Sequence, residues 1–210
     1  MLVAFDFDGT LSDSEMTVLL GEQAGVADEI ADITERAMND ELSYPESLRA
    51  RAELLAGLPE ADVAAALDRV ELRPGAANIV AALRAADHRV AVLTGGFERG
   101  VERALSAAGV NVDVDAVVAN RLPSRDGALT GGVEGPLVGG TKDDALEELA
   151  ADLGVDETVA VGDGANDLPM LEVAGLAVGY DPKPAVEPLC DAVVDSMVDL
   201  RALFERRAVL

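Results

Sequence analysis

Three short apolar runs, each ending in a cluster of chemistry-bearing residues, constrain this chain more than any other feature. Residues 2–5 lead into Asp6-Phe7-Asp8-Gly9-Thr10, residues 90–93 into Thr94-Gly95-Gly96, and residues 158–161 into Gly162-Asp163-Gly164-Ala165-Asn166-Asp167. A lone Lys142 follows Gly139-Gly140. Short apolar runs without polar alternation mark strands buried on both faces. Helix-like stretches separate them, which predicts an α/β fold with a doubly wound parallel sheet. Such a sheet places its ligand at the carboxyl ends of its strands, where these clusters fall.

Between the first run and the rest, the pattern changes. Residues 13–72 hold no strand candidate. They read as four helices, over 15–23, 27–38, 45–55 and 59–70, with Pro45 suited to a helix start. This predicts a small helical cap, 13–72, inserted after the first strand of a catalytic core formed by 1–12 and 73–210. Arg73-Pro74-Gly75 is the expected return. The core then alternates: helix 76–86, strand 89–93, helix 98–108 ending at Gly109, strand 115–119, helix 143–153 ending at Gly154, strand 158–161, helix 167–173, and short strands at 176–178 and 192–194. A hairpin is expected around Asp126-Gly127, a pair that favours tight turns between strands.

Composition narrows the function. The chain is 50% hydrophobic but only 3% aromatic, so its core must be built from Ala, Val and Leu. No apolar stretch is long enough to span a membrane, and the first run is too short, and lacks the basic flank, for a signal peptide. The single Cys190 excludes an intramolecular disulfide. A cytoplasmic location is expected. Acidic residues number 40 against 16 basic, a net charge of −24, which argues against nucleic-acid binding. Only Lys142 and Lys183 are lysines. This acidity suits a high-salt cytoplasm, where screening tolerates a dense acidic surface. It also repels anions, so a site for an anionic substrate must reverse the sign locally with a metal ion and a few cations.

The clusters carry that chemistry. Asp6 and Asp8 offer one carboxylate to attack phosphorus and a second to serve as general acid and base. Asp-x-Asp at a strand end also occurs in plain surface loops. Thr94 and Gly95 can offer a hydroxyl and a backbone N–H to phosphate oxygens, although small residues are common in any βα turn. Lys142 can neutralise developing negative charge, though a solitary lysine is ordinarily a solvated one. Asp163 and Asp167 present hard oxygens suited to Mg²⁺; alone they read equally as helix-capping carboxylates in a Gly-rich turn. The combined pattern is far more specific than any part.

In that order the pieces resemble the four motifs of the haloacid dehalogenase superfamily and, within it, the phosphoserine phosphatase family. Further likeness lies in Glu15, Ser47-Leu48-Arg49-Ala50-Arg51, Thr94-Gly95-Gly96-Phe97, Ala119-Asn120-Arg121-Leu122 and residues 130–134, weakening after Asp181. The resemblance implies that Asp6 is the nucleophile and Asp8 the general acid and base. It implies Mg²⁺ held by Asp6, the Asp8 backbone carbonyl and Asp163, with Asp167 supporting that shell and Lys142. Thr94, Gly95 and Lys142 would hold the phosphoryl group, with Asn166 close by. Asp8 argues against a dehalogenase, which needs no second acid.

The implied partner is a small phosphorylated amino acid, handled by a monomer or homodimer. Its ammonium suits Glu15 and its carboxylate suits the planar fork of Arg51. Arg49, two residues away, faces roughly the opposite side of a helix, about 200° round; the resemblance selects Arg51. Read without it, Glu15 is a charge in a helix's first turn and Arg51 a solvated arginine. Met38 and Tyr44 are candidates for the apolar wall of the cap, or for its core. Gly9 departs from the serine usual in phosphoserine phosphatases, and Thr94 replaces a more frequent serine. His88 and Cys190 match no motif and are expected to be structural. The competing readings are a phosphatase or phosphotransferase for another small phosphomonoester such as phosphoglycolate, and a non-catalytic binder on the same scaffold. Phosphoglycolate leaves Glu15 unexplained, and a binder has no need of all of Asp6, Asp8, Lys142, Asp163 and Asp167.

Overall fold

The computed structural model describes residues 1–38, 41–108 and 113–210. Strand β1 (Leu2–Phe5) is buried along its whole length. Four helices follow: α1 (Met16–Ala24), α2 (Ala27–Met38), α3 (Tyr44–Leu54) and α4 (Glu60–Leu67). The chain then alternates through α5 (Ala76–Ala85), β2 (Arg89–Phe97), α6 (Glu98–Ala107) and β3 (Ala116–Asn120). A small hairpin, β4 (Ser124–Arg125) and β5 (Ala128–Leu129), precedes α7 (Lys142–Leu153) and β6 (Thr158–Gly162). The remaining elements are α8 (Leu168–Val173), β7 (Leu176–Tyr180), β8 (Ala192–Val194) and α9 (Met197–Arg206).

Among the described residues, the main sheet has six strands in the order β3-β2-β1-β6-β7-β8, parallel throughout. β1 lies between β2 and β6, with Phe5 beside both Val92 and Val161. The strand order reverses direction here, and the crevice that opens beyond such a switch point is where this class of sheet binds ligands. Val, Ala and Leu fill the strands, and Phe5, Phe7 and Phe204 are among the largest fully buried side chains. The aromatic-poor core expected from composition is the one observed.

The expected α/β elements all form, with boundary corrections that matter for the site. β2 does not end at Leu93. It runs to Phe97 with a shift in register between Leu93 and Phe97, so Thr94-Gly95-Gly96 is an irregular strand end rather than a turn after it. The Thr94 hydroxyl closes this irregularity by accepting the Gly96 N–H at 2.9 Å. Helix α7 begins at Lys142 itself. A 3₁₀ turn, Ala165–Asp167, precedes α8. Gly109, the expected stop of α6, lies outside the described residues. Helix α9 is unforeseen; it buries Leu200, Leu203 and Phe204, and Ser196 caps it by accepting the Asp199 N–H.

Helices α1 to α4 add no strand to the sheet. Their two connections to the rest of the chain are stitched together: the Arg73 N–H donates to Leu11 O at 2.8 Å, and the Ser12 hydroxyl to Glu71 O at 2.7 Å. A third tie comes from the hairpin. Asp126 and Gly127 take positive φ angles of 54° and 82°, the backbone of a tight two-residue turn. The hairpin reaches the α3–α4 junction through backbone bonds from Gly57 N to Leu129 O, Leu129 N to Leu58 O and Glu60 N to Gly127 O, each 2.9 Å.

Candidate active site

Beyond the carboxyl end of β1 the chain must turn, because Asp6 is the last residue still bonded to a neighbour strand, its N–H donating to Val161 O at 2.9 Å. The turn closes through Thr10 N to Phe7 O and Gly9 N to Ser12 O. It separates the two carboxylates of Asp6-Phe7-Asp8. Asp6 is buried and faces α7 and the end of β6; Asp8 leans towards Gly96 at the end of β2.

The floor of the site is a closed ionic network. The Lys142 ammonium, 3% exposed, donates to Asp6 Oδ1 and to Asp167 Oδ1, each at 2.5 Å. The other Asp167 oxygen accepts the backbone N–H groups of Asp163 and Gly164, each at 2.9 Å. Lys142 is therefore no solvated surface lysine. Burial works against its charge, but Asp167 and Asp6 outweigh that and hold its pKa above the usual lysine value. Asp6 is pushed up to about 8 by burial, then by Asp167, against the opposing pull of Lys142. Both partners of the pair move up because one ammonium faces several carboxylates.

That surplus defines a metal-competent centre. One oxygen from each of Asp6, Asp163 and Asp167 lies within 4.8 Å of the others, and all three residues are buried. Three carboxylates around one ammonium leave about two negative charges, the charge of a divalent cation, and the donors are all hard oxygens of the kind Mg²⁺ takes. Asp163 is also raised, by burial and then by Asp167, against the opposing pull of Lys183. The Asp8 carboxylate does not belong to this cluster; the turn at Gly9 directs it elsewhere. Gly9 itself has φ +89°, and a Cβ there would lie 2.6 Å from Asp163 Oδ1. The departure from serine matches the close approach of Asp163 to this turn.

Above the floor lies a cavity of about 610 Å³. Asp6, Asp8, Glu15, Arg51, Thr94, Gly95, Asp163 and Asn166 all line it, while Lys142 and Asp167 sit beneath. The structure thus brings these ten candidates together. Asp8 Oδ1 is buried without a hydrogen-bond partner among the described residues. Burial, then Glu15 and Asp6, raise the Asp8 pKa well above the usual carboxylate range, so this carboxyl favours its protonated form.

The roof comes from α1 and α3. Ser43 and Glu46 form a capping box that starts α3, with Pro45 in its first turn. Arg51 faces the cavity and Arg49 is exposed. Arg51 makes only long contacts, to Thr17 Oγ1 at 3.3 Å and Ser47 O at 3.4 Å, and no carboxylate pairs with it among the described residues. Burial lowers its pKa, with Tyr44, Glu15 and Asp8 opposing. Tyr44 is the wall residue expected: its hydroxyl packs so closely on Gly95 that a Cβ there would meet it at 1.8 Å. The Met38 side chain lies outside the described residues.

The sequence reading missed several contributors. Lys183 lines the cavity mouth, its ammonium 3.4 Å from Asp163 Oδ2 and its backbone N–H donating to Asp163 O. The available signal was its rarity, as one of two lysines. Asn120 braces the phosphate-side strand end by donating to Gly95 O at 3.1 Å and accepting the Leu137 N–H. Arg73 donates to Gly9 O at 3.1 Å and stacks over Tyr180, steadying the first motif from the inserted segment's return. His88 and Cys190, expected to be structural, are not among the residues lining the cavity and bond to Val209 O and Val186 O.

The chain is similar to known proteins in both sequence and fold. Residues 3–172 match the family model for haloacid dehalogenase-like hydrolase. A phosphoserine phosphatase of Halobacterium salinarum is 60% identical over 198 residues, 93% of each chain. A solved phospho-aspartyl intermediate analogue of phosphoserine phosphatase superposes with a TM-score of 0.88 at 37% identity, covering 98% of this chain and 97% of that one. A substrate-bound phosphoserine phosphatase complex gives 0.88 at 36% identity over the same shares. The chain belongs to the haloacid dehalogenase-like hydrolases, in the branch of the phosphoserine phosphatases.

Proposed function

We propose that the protein hydrolyses O-phospho-L-serine to L-serine and phosphate, the closing step of a serine synthesis, through an aspartyl phosphate on Asp6. The observation that carries this is the pairing of two unlike halves of one cavity. A buried nucleophile lies against a lysine below, and an unpaired guanidinium lies near a carboxylate above.

The roles follow from placement. The Asp6 carboxylate attacks phosphorus, and the bond to the serine oxygen breaks. Asp8, whose burial favours its protonated form, delivers a proton to that leaving oxygen. Asp8 then removes a proton from the water that hydrolyses the acyl phosphate, returning Asp6. Lys142 holds Asp6 in place and offsets charge on the phosphoryl oxygens. Thr94 and Gly95 bind those oxygens, with Asn166 beside them. Asp6, Asp163 and the Asp8 backbone carbonyl are the residues that would hold Mg²⁺, with Asp167 behind them. Bound there, the ion supplies charge neutralisation for the phosphate and for Asp6. Residues 13–72 act as the cap that screens the site from bulk water. Glu15 pairs the substrate ammonium and Arg51 its carboxylate.

The test is phosphate release from L-phosphoserine with Mg²⁺ in concentrated KCl, beside phosphoglycolate and an aryl phosphate. A strong preference for phosphoserine is expected. Equal or better turnover of phosphoglycolate would leave Glu15 without a role and overturn the substrate reading. The acidic surface and the halophile relative support a high-salt cytoplasmic setting. Unchanged thermal stability on removal of KCl would overturn that part.

A further inference from the structure

Helix α3 presents one face to the cavity: Tyr44, Ser47, Leu48 and Arg51, spaced three, four and seven residues apart. That spacing stacks side chains along a single stripe. Three of the four have evident duties, as wall residues and as the guanidinium. Ser47 does not. It is 1% exposed, its hydroxyl has no hydrogen-bond partner among the described residues, and it borders the cavity. A buried hydroxyl without a partner is destabilising, so native proteins rarely keep one without use. Alanine would fill the same helical position without that cost.

Its neighbour shows what the hydroxyl faces. Ser47 lies one turn before Arg51, and the Arg51 Nε–H points back to the Ser47 carbonyl at 3.4 Å. The Ser47 side chain and the Arg51 guanidinium therefore share one corner of the roof, with Thr17 accepting from Arg51 on the other side. A carboxylate seated on that guanidinium has more lone pairs than the fork consumes, and a hydroxyl donor in the same corner takes one of them.

We propose that Ser47 is a specificity-determining residue: its hydroxyl donates to the substrate carboxylate held by Arg51. This rests on the phosphoserine reading above and extends it. The orphaned donor is the free protein's half of a hydrogen bond that the ligand completes. The arrangement selects against a phosphomonoester lacking the carboxylate, because such a ligand leaves both Ser47 and Arg51 unsatisfied.

The experiment is steady-state kinetics of Ser47→Ala on O-phospho-L-serine and on O-phosphoethanolamine, which keeps the ammonium and lacks the carboxylate. The expected result is a rise in KM for phosphoserine of roughly 10-fold or more, with kcat little changed. The loss of kcat/KM on phosphoethanolamine should stay within about twofold. Thermal unfolding of the ligand-free variant should match or exceed the parent, since an unsatisfied group has been removed. Equal losses on both substrates, or none on either, would overturn the inference while leaving the phosphoserine reading intact. A parent protein that prefers phosphoethanolamine or an aryl phosphate to phosphoserine would overturn the substrate reading and the inference with it.

Discussion

The floor and the roof of this cavity are built on opposite principles. In the floor, Lys142, Asp6 and Asp167 are buried and bonded to one another at 2.5 Å, and the second Asp167 oxygen is taken by two backbone N–H groups. In the roof, Arg51 has no carboxylate partner among the described residues, its bonds are long, and Ser47 has no partner for its hydroxyl. The floor's lysine is fully paired before any substrate arrives; the roof's arginine and serine are paired by one. Chemistry common to many phosphomonoesters needs fixed charges that do not reorganise during reaction. Discrimination needs groups whose satisfaction depends on the ligand's identity.

Removing the floor's nucleophile should break the comparison most completely. Asp6→Asn is expected to lower phosphate release by on the order of 10⁴-fold on every phosphomonoester, read by steady-state assay. Retained turnover would sink the aspartyl-phosphate mechanism. Next in size, Lys142→Met leaves Asp6 and Asp167 buried without their cation. Breaking such a pair costs about 3–5 kcal/mol, so denaturant unfolding should show a large drop in midpoint. A change near zero would mean the floor is not a mutually dependent network.

The roof should behave differently. Arg51→Ala is expected to raise KM for phosphoserine by roughly 10- to 100-fold. It should leave stability nearly unchanged, because a largely buried cation without an ionic partner among the described residues is removed. If it unfolds the protein as readily as the lysine change does, the two regions are not distinct in kind. The smallest effect is a slope. Asp6 binds its proton more tightly in the folded, metal-free protein, with its pKa about 8 against 3.8 for the ordinary side chain. The folded state then holds more protons between those values, so stability is lost as pH rises from about 4 to about 8. Mg²⁺ favours the ionised carboxylates and should flatten that slope in thermal melts. Identical slopes with and without Mg²⁺ would deny the cluster its metal.

The sequence was most legible where chemistry and strand ends coincide. Asp6, Thr94 and Asp163 were placed by motifs that need a particular residue type at a strand end, Lys142 by its place in the order of the motifs, and helices such as α2 by periodicity. It was least legible where a role depends on what lies across space. Nothing in the composition of residues 94–97 announces a strand that continues through an irregular end, because small residues suit turns equally well. Ser47 reads as an ordinary helical serine until its burial and missing partner are seen. Lys183, exposed and remote in sequence from the motif it touches, was visible only as one of two lysines. Helix α9 lies beyond the stretch where the family likeness is strong, and its few apolar positions at helical spacing are a weaker signal than the strand runs.

The two lysine side chains also differ in how much of each is exposed, 4% for Lys142 and 51% for Lys183. An amine-reactive reagent therefore meets one lysine readily and the other hardly at all. Among lysines, mild acylation should mark Lys183 alone, at the rim of the cavity and beside Asp163. A fluorophore attached there would sit where ligands enter without using a single engineered residue. The scarcity that lets the surface stay acidic thus leaves the protein with a natural attachment point for a reporter of binding.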